Sequence, residues 1–310
     1  MTGAKTAAGL PGSRRRLVLA LIMMIFGGVI WGATFSLAKL ITEAGAHPFG
    51  LALLSGAIGA LILLPYGLAQ RGGIPLGRDY IAVYFVAGTL GTALPSSVLF
   101  FSAAHMPAGI LAIIVSLVPL MTYAIALVLG VERLQRLRAA GIGLGFAAIL
   151  MIVVPDAGLP DRSMAPWVLF ALIVPLAYAA ENVYIAIRRP PRSNPFALLC
   201  GMLSAGSLIL LPLVWANDAW IPLDVVWTLS LWWILALAVI NVIAYVLFIE
   251  LIRMTGPLFA AQMGYVVTAS GVLWGIVIFG ETHSPWIWAA LAVLLTGIAV
   301  VHPRKVADDS

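Results

Sequence analysis

Of the 310 residues, 63% are hydrophobic and 9% charged, and the mean hydropathy is +1.09. That balance excludes a soluble globular domain and predicts a bundle of apolar spans, each about twenty residues long. The net charge of +5 is too small and too dispersed for a nucleic-acid partner. Cys200 is the single cysteine, so no disulfide framework exists, and no Cys/His cluster has metal-ligand spacing. No nucleophile–base set or phosphate loop stands out in the sequence, so no cofactor is expected.

In chain order, Arg14-Arg15-Arg16 precede an apolar run from Leu17 to about Ile41. The run is too long for an ordinary signal-peptide core and other spans follow it, which predicts an uncleaved first helix. Hydropathy predicts ten spans in all, at 17–41, 49–69, 80–104, 108–130, 136–154, 167–187, 195–215, 228–251, 257–279 and 285–302. The expected fold is therefore an all-α integral membrane protein of ten transmembrane helices. Connections such as Met106-Pro107 and Thr255-Gly256-Pro257 barely turn, so neighbouring helices must pack antiparallel. Pro95, Pro119 and Pro175 lie inside spans, where each frees a backbone carbonyl and permits a bend. Gly28/Gly32 and Gly141/Gly145 are small-residue pairs suited to close helix contact. Lys39 with Glu43, and Glu250 with Arg253, have the spacing of helical ion pairs, while Glu132 and Glu281 close their spans and read as solvated.

An even number of spans puts both termini on one side. Of the 17 basic residues all but Lys39 and Arg162 fall on that side, which predicts that it is cytoplasmic. Trp167, Trp215, Trp220, Trp227, Trp286 and Trp288 gather at the opposite interface, as indoles do at a membrane boundary. The expected setting is a membrane, crossed many times, with both termini in the cytoplasm.

The chain also repeats itself. At an offset of about 147, Leu61–Pro65 and Leu208–Pro212 both read LILLP, and His47-Pro48-Phe49 falls on Asn194-Pro195-Phe196. The same offset lays Trp31 on Tyr178 and Thr34-Phe35 on Glu181-Asn182, and Glu132 matches Glu281 at a slightly larger one. Each half holds an odd number of spans, so the second enters the membrane inverted. The organisation read from this is a cytoplasmic segment 1–16, a first five-helix repeat 17–154, an outer linker 155–166, a second repeat 167–302 and a cytoplasmic tail 303–310.

The stretch LIVPLAYAAENVYIAIRRP carries Glu181 and Asn182 inside a span. An ionisable group at that depth is costly, and by default marks a bundle interior or a wet cavity. Tyr178, Glu181, Asn182 and Ile185 are spaced by three and four, which reads as one stripe. Similar stripes are Trp31, Thr34 and Phe35 in the first span, Asn241 and Tyr245 in the eighth, and Gln262 and Tyr265 in the ninth, with Ser97 and Ser116 as lighter members. The competing interpretation of every such group is interhelical hydrogen bonding.

Gly28-x-x-Trp31-Gly32-x-Thr34-Phe35 with Lys39 resembles the opening of EamA-type proteins of the drug/metabolite transporter superfamily. Ser116 to Leu134, closing on Gly-Val-Glu-Arg-Leu, resembles the end of that family's first repeat, and Gln262 to Glu281 resembles the end of its second. The resemblance implies two inverted five-helix repeats, a central cavity between them, and outward movement of small metabolites, often amino acids, across a bacterial inner membrane. Within the family the amino-acid exporter branch, YddG-type proteins included, is the expected one, although no motif in this sequence singles it out. Many members carry an arginine early in the second span, where this chain has Leu53-Leu54-Ser55-Gly56.

The leading functional expectation is a secondary transporter, with a small-molecule substrate and the lipid bilayer as partners. Glu181 would hold a substrate ammonium, and Asn182, Asn241 and Gln262 would orient a carboxylate. Proton-coupled efflux of cationic drugs is the alternative, with Trp31, Tyr178 and Tyr265 giving cation–π contacts. A membrane enzyme lacks a reactive set within the spans, and a channel lacks rings of like groups. Monomer and homodimer are both left open.

Overall fold

The computed structural model describes residues 11–69, 73–154, 158–188, 190, 194–221 and 229–301. Trp227, Arg71, Arg189, Arg192, the first ten residues and the tail from 302 lie outside the described residues. The described chain is helical, without strands. Its passes are α1 (Pro11–Glu43), α2 (Pro48–Ala69), α3 (Arg78–Ala103), α4 (Ala108–Val128), α5 (Arg136–Val153), α6 (Arg162–Arg188), α7 (Pro195–Ala216), α8 (Leu229–Thr255), α9 (Met263–Phe279) and α10 (Pro285–Val301). Eight are long and apolar enough to cross a membrane and α9 and α10 are shorter apolar helices.

Three of the passes are interrupted, each upstream of a proline. A proline has no N–H for the carbonyl four residues back and clashes with it. Before Pro95, α3 widens into a π turn over Thr89–Ala93. Before Pro119, α4 breaks between Val115 and Val118. Before Pro175, α6 breaks at Leu172. Two helix starts differ from the sequence expectation. The first helix begins at Pro11, inside the expected 1–16 segment, where a proline's fixed φ suits a first turn. The ninth begins in earnest at Met263, after a single turn, Pro257–Ala260, and a break at Ala261 and Gln262.

The packing follows the repeat. Helices related by it meet each other, α2 against α7 and α5 against α10. Other major contacts come in exchanged pairs: α1 packs on α9 as α6 packs on α4, and α2 packs on α8 as α7 packs on α3. Lipid tails are as apolar as leucine, so small residues that let backbones approach set these contacts. A Cβ on Gly297 would stand 2.9 Å from the Gly141 carbonyl, and one on Gly206 would stand 2.9 Å from that of Gly88. Gly28 and Gly32 lie against Val266 and Ser270 of α9 in the same way. Outside, Leu17, Ile22 and Phe26 of α1, Leu61 of α2, Phe146 of α5 and Val277 of α9 are exposed, an apolar surface suited to lipid.

The two ends differ. At the end opposite the termini, the far end, Ala108–Val115 of α4 runs along α9. Toward the terminal end Val118–Val128 leaves α9 and packs on α6, α5 and α10, while the turn Pro257–Ala260 packs on α8.

Candidate functional site

Trp31 and Asn241 join α1 to α8 through the middle of the bundle. The indole Nε1 donates to Asn241 Oδ1 at 3.2 Å, and Asn241 Nδ2 donates to the Leu237 carbonyl at 2.9 Å. Tyr245, one turn from Asn241, meets the Trp31 ring edge-on at 5.9 Å, and Phe248 closes the aromatic group at 6.2 Å from Trp31. Edge-to-face pairs at such distances add packing energy beyond their area.

Glu181 approaches from α6. It is buried, 6% exposed, and among the described residues its carboxylate has no hydrogen-bond or ion-pair partner. The phenols of Tyr178 and Tyr245 lie within electrostatic reach of it. Its carboxyl carbon and both oxygens press against Gly91, in the π turn of α3, and fill the place a Cβ would take there. Turns of this kind inside α-helices are frequent at functional sites. The arrangement gathers a carboxylate, two phenols, an amide and an indole, from α1, α6 and α8, against bare backbone of α3. Chemically it suits an amphipathic molecule with a positive group.

The other sequence candidates divide. Asn182 does not join Glu181. It is exposed and donates to Thr122 Oγ1 of α4 at 3.5 Å. Successive helical residues point about 100° apart, so a buried Glu181 turns its neighbour away. Thr34 gives its hydroxyl to the Trp31 carbonyl at 2.6 Å, and Phe35 is buried in the main core against Gly271. Ser97 and Ser116 bond back to the carbonyls of Ala93, 2.6 Å, and Ile113, 2.7 Å, and so dress the interruptions of α3 and α4. Gln262, expected within the ninth span, sits at the N-cap of α9, toward the terminal end. Tyr265 packs, partly buried, on the main core.

Glu281 departs further from its expectation of a solvated helix end. Its side chain is 7% exposed, and its two oxygens accept from the first amides of α4, Ala108 N at 2.6 Å and Gly109 N at 3.0 Å. Helix N-terminal amides are natural anion partners. Gly280, at φ +64 in the left-handed region, ends α9 and turns the chain so that Glu281 points back. Gly109 and Gly275 leave the space it fills. His283 stands 3.5 Å from Glu281, and burial pushes its imidazole below the ordinary value while the carboxylate pulls it up. Lys39 adds a second tie at this end, to the Met106 carbonyl at 3.2 Å, besides its expected pair with Glu43 at 3.0 Å.

A model of the EamA-like transporter family matches residues 18–154 and again residues 165–302. The chain belongs to the EamA-like transporter family. This EamA-like chain is 26% identical over 297 residues to the inner membrane transporter YedA of Escherichia coli (strain K12), which spans 93% of this chain and 92% of that one. A WAT1-related protein of Arabidopsis thaliana is 28% identical over 120 residues, 38% of this chain and 33% of the plant protein. A solved crystal structure at 19% identity, with a TM-score of 0.59, covers 89% of this chain and 94% of its own, and shows the fold. The EamA-like chain is thus a multi-pass inner-membrane transporter of small molecules, built of two inverted five-helix repeats.

Proposed function

We propose that the protein is a secondary transporter that exports small amphipathic metabolites, amino acids foremost, by alternating access, with both termini in the cytoplasm. The observation that carries this reading is Glu181, a buried carboxylate without a protein partner among the described residues, within electrostatic reach of Tyr178 and Tyr245 and against the first repeat at Gly91. A lone carboxylate in a bilayer interior needs a counter-charge, and a substrate ammonium supplies one. Asn241 keeps one Oδ1 lone pair and one Nδ2 hydrogen, beyond its bonds to Trp31 and Leu237, for the rest of the molecule, and Gln262 stands at the terminal-side entrance.

The unequal ends support alternation. The far end is tied by Glu281 on the α4 amides. Its repeat counterpart Glu132 lies on the surface, 47% exposed, with Arg138 at 3.4 Å. In this reading the present conformer is closed at the far, periplasmic end, and the opposite state closes the terminal end around the start of α9. Proton-coupled efflux of cationic drugs is the second reading, and the Trp31–Tyr245–Phe248 aromatic group favours it. Proteoliposome flux with a panel of amino acids and cationic dyes separates the two. Amino-acid flux supports the first, dye flux alone supports the second, and flux of neither overturns both. A cysteine at Trp220 labelled from the outside of cells, with one at Arg253 protected, supports the orientation, and the reverse pattern overturns it.

A further inference from the structure

We infer that Gly91 is a positioning residue for the Glu181 carboxylate, and through it for the ammonium group of a substrate; the second half rests on the transport reading above. Pro95 governs the backbone of this stretch of α3. It has no N–H for the Gly91 carbonyl, so a regular α ladder cannot run through position 91. The helix answers with the π turn Thr89–Ala93, which carries Gly91 at its centre. Glu181 then uses the missing side chain, because its carboxyl group occupies the place of a Cβ at position 91.

The seat is fastened on two sides. Ser97 donates to the carbonyl of Ala93, the last residue of the turn, at 2.6 Å. On the other side Thr92 lies against Gly206 of α7, where a Cβ on the glycine would come 2.8 Å from the Thr92 Cβ. The π turn is therefore held by the second repeat, and Glu181 comes from the second repeat as well. Contact of this kind fixes the carboxylate by shape and not by a hydrogen bond. The acceptor capacity of both oxygens stays available to a ligand. A protonated primary amine, with its compact charge and three donors, matches that capacity.

A methyl group at position 91 and the carboxyl of Glu181 cannot share this space. Shortening the acid by one methylene draws the carboxyl back and makes room. The test is therefore a cycle of Gly91→Ala, Glu181→Asp, Glu181→Ala and the two doubles, each purified and reconstituted. Gly91→Ala should cut amine uptake by about tenfold, through a raised KM. Gly91→Ala with Glu181→Asp should recover most of that loss. In detergent, Gly91→Ala should lower the melting temperature by about 3 °C with Glu181 present and leave it unchanged in the Glu181→Ala background.

Gly91→Ala with a wild-type KM, or with the same thermal cost in both backgrounds, overturns the inference. If Gly91→Ala alone does not fold, the Glu181→Ala background should restore folding, and failure there also overturns it. If the wild-type chain carries no amine yet the thermal cycle couples positions 91 and 181, the transport reading fails and the seat stands.

Discussion

The far end and the terminal end of the bundle are built from the same repeated plan, yet they are held differently. At the loops of the far end, besides the local Lys39–Glu43 pair, polar contacts join distant parts of the chain. Ala108 and Glu281 are 173 residues apart, Lys39 and Met106 are 67 apart, and Ser284 and Gly158 are 126 apart. At the loops of the terminal end they are local, and the longer-range contacts of that half, Asn182 with Thr122 and Cys200 with Ala60, lie inside the spans. Glu132 meets Arg138 six residues on, Tyr123 accepts from Gln135 N and donates to the Arg133 carbonyl twelve and ten residues on, and Glu250 pairs with Arg253 three residues on. Of these, the Glu281 bonds to Ala108 and Gly109 join the two repeats and so resist their separation, which local contacts do not. The comparison teaches that a symmetric plan reaches an asymmetric state by engaging one copy of a device and leaving the other idle. The first repeat also carries an additional residue, Val131, between its left-handed Gly130 and Glu132, so its acid is aimed differently.

The largest expected effect is on the engaged copy. Glu281→Ala leaves two helix-terminal amides without a partner, so it should destabilise the protein by on the order of 2 kcal/mol. Glu132→Ala removes an exposed pair and should cost less than about 0.5 kcal/mol. Thermal unfolding in detergent measures both, and equal costs would break the comparison.

Accessibility sharpens it next. In a Cys200→Ala background, a cysteine at Ala108 should resist a water-soluble maleimide while one at Phe259 reacts. Glu281→Ala should speed the reaction at position 108 severalfold and leave position 259 unchanged. A freely reactive Ala108→Cys in the wild-type frame would show that the far end is not closed.

The smallest expected effect is on pH. Burial holds the His283 imidazole below 6.5, and Glu281 is the titratable group that faces it. Neither ring nitrogen has a hydrogen-bond partner among the described residues. In the unfolded chain the ring protonates as pH falls through 6.5, and in the folded chain it resists. The stability contributed by neutral His283 is thus full above that pH and is lost as pH falls toward the folded value. A cleft of about 480 Å³ over Leu159, Thr282 and His283 brings water near it. The melting temperature should fall between pH 7.5 and 5.5, and His283→Gln should remove part of that fall. An identical pH profile in His283→Gln would remove the histidine from the account.

Much of the fold was legible because hydropathy and small-residue spacing act locally. The passes, the Lys39–Glu43 pair and the close contacts at Gly28, Gly32, Gly141 and Gly145 follow from such rules. Trp31, Asn241, Tyr245, Tyr178 and Glu181 were legible as candidates because large polar groups are rare in apolar spans. Asn182 was misjudged because adjacency in sequence was allowed to stand for a shared face. Glu281 was missed because its partners are backbone amides of a distant helix, which leave no side-chain signature. Gly91 was missed because its role is an absence of atoms. The one available signal was Pro95 four residues on, within a threonine-rich turn.

The central claim is that Glu181 is the substrate-facing charge of the transporter. Its most direct test is uptake into proteoliposomes by wild type and Glu181→Gln, with amino acids and primary amines, across pH 5.5 to 8.5. The account predicts that Glu181→Gln elutes as folded protein on size exclusion, loses about tenfold or more in kcat/KM for ammonium-bearing substrates, and shows an altered pH profile. Wild-type flux with an unchanged pH profile in well-folded Glu181→Gln would contradict it.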